Sequence, residues 1–364
     1  MIISKRAQAF ETSAIRKIFE LATTLKNCIN FSIGQPDFTV SEKVKEKTIE
    51  AIKNGLSKYT PTEGIPELRE RVAKKFAEEN NIQTNSEEVL ITPGTSAAIF
   101  LALSTIIDPE DEIIIPDPYF VEYPQLVKFL DGKVILLDTY PNFQIDIKKL
   151  EKLITKKTKV IILNSPNNPT GAVYPKETLE EIAILAKKNN LIIISDEIYE
   201  KFIYDNNTHF SIGSIYENTI TIGGLSKSGG MPGWRLGWVS GPKEIIDKMK
   251  EIQQYTFVCA PSLVQYGALA AFEGMEKQRQ DYQKKRDLIY NLLSKKFKVT
   301  KPQGAFYIMV EVDDGTKFIN WAISQNVLLV PGNAFSEKNS HVRISYATSL
   351  ENITLGAQIL TKYP

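Results

Sequence analysis

"KVIILNSPNNPTGAVYPKETLEEIAILAKKNNLIIIS" (159–195) holds, in order, an apolar run, a turn, an amphipathic segment and a second apolar run. Its ends, "KVIILN" (159–164) and "LIIIS" (191–195), have consecutive rather than alternating apolar residues, the mark of strands covered on both faces. Between them "KETLEEIAILAKKNN" has helical length and a periodic apolar face. A strand, a helix and another strand in this order predict a parallel pair joined by a crossover. Apolar runs of the same style occur at "VLIT" (89–92), "EIIIP" (112–116), "KVILL" (133–137) and "TITIG" (219–223), with a helical "SAAIFLALSTII" after the first. The pattern predicts an α/β fold whose mostly parallel central sheet is flanked by helices on both sides.

Beyond "GWVSGPKEIIDKMKEIQQY" the style changes. A polar helical stretch at 274–297 reads as a connector. Strands are expected after it at "AFYIMVEV" (305–312), "VLLVPG" (327–332) and "HVRISYA" (341–347), then a closing helix. This is a second, smaller α/β unit. No internal repeat or low-complexity tract is visible.

The 364 residues are 43% hydrophobic and 24% charged, ordinary for a soluble globular protein. Basic and acidic residues nearly cancel, 44 against 43, so no nucleic-acid or anionic-membrane partner is expected. The N-terminal residues lack an apolar run followed by a small-residue cleavage site. No segment approaches the roughly 20 apolar residues of a membrane span. The expected location is cytoplasmic. Cys28, Cys259, His209 and His341 do not cluster in sequence, and no metal site is expected.

In open parallel sheets, ligands sit beyond the carboxyl ends of the strands. "VLIT" runs into "PGTSAA", which puts Gly94, Thr95 and Ser96 where a helix begins and where free N–H groups attract an anion. "KVIILN" runs into a turn whose Asn168 precedes a proline. "LIIIS" ends at Asp196, and "TITIG" opens into "GLSKSGGMPGWRLGW", with Lys227 and Arg235. That glycine-rich stretch is not a nucleotide-triphosphate loop, which needs glycine immediately before the lysine; here the residue is Ser226. Taken singly, these features read as a helix cap, a loop turn and solvated charges. Taken together, an anion cradle, a lysine, an acid, an aromatic and an arginine on one rim are the parts that hold pyridoxal phosphate.

At this point the sequence resembles the class I aminotransferases of the fold-type-I pyridoxal-phosphate family. "GQPDF", "KYTPTEGIPELR", "PGTSAA", "NSPNNPTGAVY", "SDEIYE", "LSKSGGMPGWRLGW" and "HVRISYA" stand in the family's order over nearly the whole chain. The resemblance implies a large cofactor domain at 41–275, with 1–40 and 276–364 forming an N-terminal arm and a small domain. It implies that Lys227 carries pyridoxal 5'-phosphate as a Schiff base and that Arg235 grips the phosphate, with Thr95 and Ser96 as further donors. It implies that Asp196 pairs with the ring nitrogen, that Asn168 and Tyr199 bond the phenolic oxygen, and that Phe120 stacks on the ring. Arg343 should clamp the substrate carboxylate, helped by backbone at Gly34. Tyr59 should reach a neighbouring subunit's phosphate, which makes the active unit a homodimer.

Two positions depart from the pattern. Gly224 stands where the family often has a serine or threonine on the phosphate, so Ser226 or Ser228 is expected to substitute. Phe120 replaces a tryptophan or tyrosine. The implied reaction is a ping-pong transfer of an amino group between an amino acid and a 2-oxo acid such as 2-oxoglutarate. Tyr255, Phe257 and Phe10 are expected to line the pocket and to suit neutral or aromatic substrates. The run "SKRAQAFETSAIRKI" (4–18) instead resembles aspartate-using members. The same fold also carries carbon–sulfur β-lyases, the alternative class. A transcription regulator would need an added DNA-binding domain.

Overall fold

The structure is a computed structural model. It describes all residues except Met1, Ala9, 11–15, Lys17, Phe19, Thr23, Thr24, Lys26 and Glu273. The apolar runs form strands β2 (Val89–Thr92), β3 (Glu112–Asp117), β4 (Lys133–Asp138), β5 (Thr158–Asn164), β6 (Ile192–Asp196) and β7 (Thr219–Gly224). A short β1 (Ile29–Asn30) precedes them, and β8 (Gly237–Ser240) follows. One 7-stranded sheet contains them in the order β2-β8-β7-β6-β5-β3-β4.

β8 is absent from the sequence reading. Its residues "GWVS" are all buried, and it runs antiparallel to both β2 and β7. Four residues following a glycine-rich loop carry too little period to announce a strand. They nonetheless join β2 to the rest of the sheet. The remaining neighbouring pairs are parallel, so β5, β6 and β7 end on one rim, at Asn164, Asp196 and Gly224.

Helices cover both faces. Thr95–Ile106 packs one core with Leu90, Ile113, Ile194 and Ile222. On the opposite face Lys176–Lys188 packs Leu179, Ile182 and Ala186 against Ile161, Leu163 and Ile193. The crossover expected at 176–190 is this second helix. The polar connector forms a helix at Glu276–Leu293.

After it, β9 (Tyr307–Glu311), β11 (Val330–Pro331) and β12 (His341–Ser345) make an antiparallel 3-stranded sheet. The single strand expected at 327–332 is split. Val327–Leu328, β10, pairs in parallel with β1, while Val330–Pro331 turns to pair with β12. The core under this second sheet takes in Ile198, Tyr199 and Phe202 from just beyond β6. That shared packing brings Arg343 of β12 to the rim where Lys227 stands.

Behind the rim, Lys75 of the Pro66–Asn80 helix is buried against Glu200, with a nitrogen–oxygen distance of 2.5 Å. Asn80 donates to both Glu197 (3.1 Å) and Glu200 (2.9 Å), and His209 lies 2.7 Å from Glu197. Ser195 and Ser211 donate to the same Glu197 carboxylate at 2.8 and 2.7 Å. The network braces the turn that carries Asp196 and Tyr199.

Candidate active site

Ten of the residues assigned to the site from sequence line one cavity of about 430 Å³: Gly34, Thr95, Ser96, Phe120, Asn168, Asp196, Tyr199, Lys227, Arg235 and Arg343. Strand ends supply most of them. Asp196 closes β6, Asn168 lies in the turn after β5, and Lys227 sits in the short helical turn immediately after β7.

Lys227 is half-buried, and its Nζ donates to the Gly34 carbonyl at 2.7 Å. Burial, with Arg343 and Arg235 adding like-charge repulsion, brings its ammonium down to about 8, against the pull of Asp196. A neutral amine is therefore accessible near neutral pH. Asp196 is buried, and Tyr123 donates its hydroxyl to Asp196 Oδ2 at 2.7 Å. Burial pushes the Asp196 carboxyl up to about 6, although Tyr123, the Ile198 N–H and Lys227 all favour its charged form. It remains mostly ionised at neutral pH.

Arg343 is 1% exposed. It donates to Asn168 Oδ1 at 3.0 Å and to the Ser32 carbonyl at 2.7 Å. Its guanidinium carbon lies 4.5 Å from the Tyr307 ring centre and 4.7 Å from that of Phe335. Its Nε is buried without a hydrogen-bond partner. Tyr199 and Tyr307 share a hydroxyl–hydroxyl bond of 2.9 Å, and burial raises both phenols.

The anion cradle lies at the start of the Thr95–Ile106 helix. Gly94 caps it with φ +84, and a Cβ there would sit 2.3 Å from Arg235 Nη2. Arg235 therefore crosses directly over the glycine, donating to the carbonyls of Pro232 (3.1 Å) and Pro93 (3.5 Å). A Cβ at Gly224 would stand 2.9 Å from the Leu236 carbonyl oxygen, so the β8 backbone leaves no room for a hydroxyl-bearing side chain there. Of the two candidate substitutes, Ser226 lines the cavity and its buried Oγ has no partner. Ser228 donates back to the Gly224 carbonyl at 3.4 Å and is not part of the lining.

Three expected positions are corrected. Tyr255 is 86% exposed, Phe257 lies on a separate face with Tyr59, and Phe10 packs on Phe129 with ring centres 5.1 Å apart. None lines this cavity; Tyr255 lies on the Lys243–Thr256 helix, which packs on the Thr95–Ile106 helix, and Phe257 caps the former. Much of the 4–18 run, at 9, 11–15 and 17, lies outside the described residues; its Arg16 lines the cavity. Tyr123, Tyr307 and Asn164 also face the cavity and are not singled out as site residues by the sequence. Tyr307 gave no signal before the β9–β12 register was known.

These groups fit pyridoxal phosphate: an amine, an acid held ionised, a cradle with an arginine over it, and buried polar atoms at Ser226 and Arg343 left for a ligand. The profile of the family described as Aminotransferase class I and II matches residues 26–360. The chain belongs to that family. As a class I and II aminotransferase it uses pyridoxal 5'-phosphate. A probable aspartate aminotransferase of Methanocaldococcus jannaschii is 44% identical, with 97% of each chain covered. Aromatic-amino-acid aminotransferase 2 of Thermococcus litoralis is 39% identical over 97% of this chain and 96% of its own. The aspartate aminotransferase of Thermus thermophilus with maleate superposes with a TM-score of 0.95 at 37% identity, covering 100% of this chain and 99% of that one. This company favours the transferase over the β-lyase. No helix among the described residues is long and apolar enough to cross a membrane.

Proposed function

We propose that the protein moves the amino group of aspartate, and of aromatic amino acids, to a 2-oxo acid such as 2-oxoglutarate, with the cofactor carried on Lys227. Arg343 carries this reading. A guanidinium buried to 1% exposure, with no carboxylate in ion-pair reach among the described residues, is costly unless an anion arrives with the substrate. Its planar fork, held by Asn168 and the Ser32 carbonyl, suits the two oxygens of an α-carboxylate.

Bound pyridoxal phosphate supplies an aldehyde for the amine and a ring that draws electrons from the substrate's Cα. Asp196, staying ionised, would hold a proton on the ring nitrogen. Asn168 and Tyr199 would donate to the phenolic oxygen, and Phe120 would cover one ring face. Thr95, Ser96, Arg235 and, in place of a side chain at 224, Ser226 hold the phosphate. With the carboxylate on Arg343, Lys227 Nζ would serve as the base for the substrate's Cα proton, and an amino group passed on in two half-reactions would give ping-pong kinetics.

The cavity wall supports the dual range. Phe120, Ile198, Tyr199 and Tyr307 offer apolar surface to an aromatic side chain, and Arg16 lies on the same wall. There it bonds Glu20 at 2.9 Å in a solvent-exposed pair, and its guanidinium suits a substrate's second carboxylate. The names of the Methanocaldococcus and Thermococcus relatives support both halves of the range.

The chain divides, in this reading, into a large unit at 41–275 and a smaller one from 1–40 and 276–364. Lys227 belongs to the first and Arg343 to the second, so substrate bridges them. Two copies pair, and Tyr59 of each reaches the other's phosphate cradle. The 85% exposure of Tyr59, beside exposed Phe257 and Val258 and next to Pro93 of the cradle, supports this.

A half-reaction screen tests the substrate assignment. The yellow holoenzyme is mixed with single amino acids and the loss of its visible absorbance is timed. Aspartate, glutamate and the aromatic amino acids are expected to bleach it fastest. A protein bleached only by small neutral amino acids contradicts the assignment.

A further inference from the structure

Ser96, read above as a phosphate donor, already has another partner: its hydroxyl lies 2.9 Å from Glu122 Oε2 and donates to it when that carboxylate is ionised. A carboxylate there opposes the anion that the helix start and Arg235 attract. Glu122 opens the Glu122–Phe129 helix, is half-buried, and does not itself line the cavity. Its hydrogen bond to a cavity residue is the one with Ser96.

The groups that act on Glu122 are few. Asp196 repels its charge and Arg235 attracts it. The Thr95–Ile106 helix brings no charged residue. Lys128 is the one cation on its own helix, in the last turn. From the other elements packed on that helix, Arg6 pairs with Asp131, Lys133 with Glu110, and Asp138 with Lys338. Glu112 accepts from Thr155, and Asp117 is buried at the end of β3.

We propose that Glu122 is a positioning residue for the cofactor phosphate: protonated, it donates to Ser96 Oγ and turns the Ser96 hydroxyl hydrogen toward the phosphate; ionised, it accepts that hydroxyl's hydrogen bond and turns it away from the phosphate. The proton comes from solvent and stays on a Glu122 oxygen, and no covalent bond changes. The proposal rests on the assignment of Ser96 to the phosphate.

Burial pushes the Glu122 carboxyl up to about 7, against the Ser96 hydrogen bond, with Asp196 raising it and Arg235 lowering it. A bound phosphate adds negative charge and raises it further. Cofactor binding then takes up a proton at Glu122. Affinity is fully present below the carboxyl's value in the free chain and falls as pH rises through it.

The test is a titration of cofactor-free protein with pyridoxal phosphate at pH values from about 6 to about 8.5, spanning the raised carboxyl. Quenching of intrinsic fluorescence reads the dissociation constant, without reference to activity. The wild type and Glu122→Gln share every other titrating group, including Lys227 and the cofactor's own phosphate, so the difference between their curves reads Glu122. The amide of Glu122→Gln donates to Ser96 at every pH. The wild-type constant is expected to rise across the range by roughly tenfold more than that of Glu122→Gln, the factor for one unit of coupling. Glu122→Ala, which leaves Ser96 free, should flatten the curve likewise. Parallel curves for the wild type and both variants overturn the proposal. Ser96→Ala separates the two failures: if it binds as the wild type does at every pH, the assignment of Ser96 to the phosphate is what fails.

Discussion

At the scale of single residues, the site works by holding charges away from their ordinary states. Lys227 is the clearest case, since burial and two arginines bring it down to about 8. Capture of the cofactor's aldehyde needs the neutral amine, whose fraction grows as pH rises through that value. The rate at which cofactor-free protein takes up pyridoxal phosphate should therefore climb with pH and reach half its plateau near about 8. A stopped-flow pH series checks this, and a flat series from neutral upward opposes it. Arg343 is held by Asn168 and Ser32, and among the described residues its Nε has no hydrogen-bond partner. Arg343→Ala should lose about 2–5 kcal/mol of substrate binding. That is a rise in KM of at least about thirtyfold, with cofactor affinity little changed. Equal losses in both would instead mark Arg343 as a structural group.

At the scale of elements, the brace behind β6 matters as much as the rim. Lys75 ties the Pro66–Asn80 helix to the turn after β6 through Glu200. Burial alone would raise the Glu200 carboxyl. Lys75, with His209 and Lys201, more than offsets this and holds it down to about 2. The stabilisation is present above the usual value of 4.5 and is lost as pH falls from there toward about 2. Lys75→Met leaves a buried carboxylate unpaired and should destabilise the fold by about 3–5 kcal/mol in denaturant titrations. A loss below about 1 kcal/mol, the worth of an exposed pair, would mean the network is not tied as described. The strands with unbroken apolar runs were legible from sequence because double-sided burial writes itself into consecutive residues. β8 was not: four residues hold no period, and their place between β2 and β7 comes from pairing alone. The Gly224 departure, read from sequence as a lost donor, is enforced by the backbone leading into β8: the Leu236 carbonyl oxygen stands 2.9 Å from where a Cβ would go.

At the scale of the molecule, the site draws on segments far apart in sequence, from Gly34 to Arg343. The groups carried by ordered motifs were legible because a motif fixes residue type and position together. Tyr123, Tyr307 and Glu122 were not, since each acts through a neighbour that only the fold supplies: Asp196, Tyr199 and Ser96. The aromatic wall expected from Tyr255, Phe257 and Phe10 is not found in this chain's cavity: Tyr255 and Phe257 are exposed, and Phe10 packs on Phe129. The exposed face around Tyr59 and Phe257 should be covered by a second copy. Light scattering on a sizing column should return twice the chain mass, and Tyr59→Ala should weaken cofactor binding without dissociating the pair. A monomer that binds cofactor at full strength would contradict that arrangement. The central claim is that the cofactor is held on one particular lysine. Reduction of the holoenzyme with borohydride, followed by peptide mapping, should place a single pyridoxyl group on Lys227; a label on any other lysine, or on none, would contradict the account.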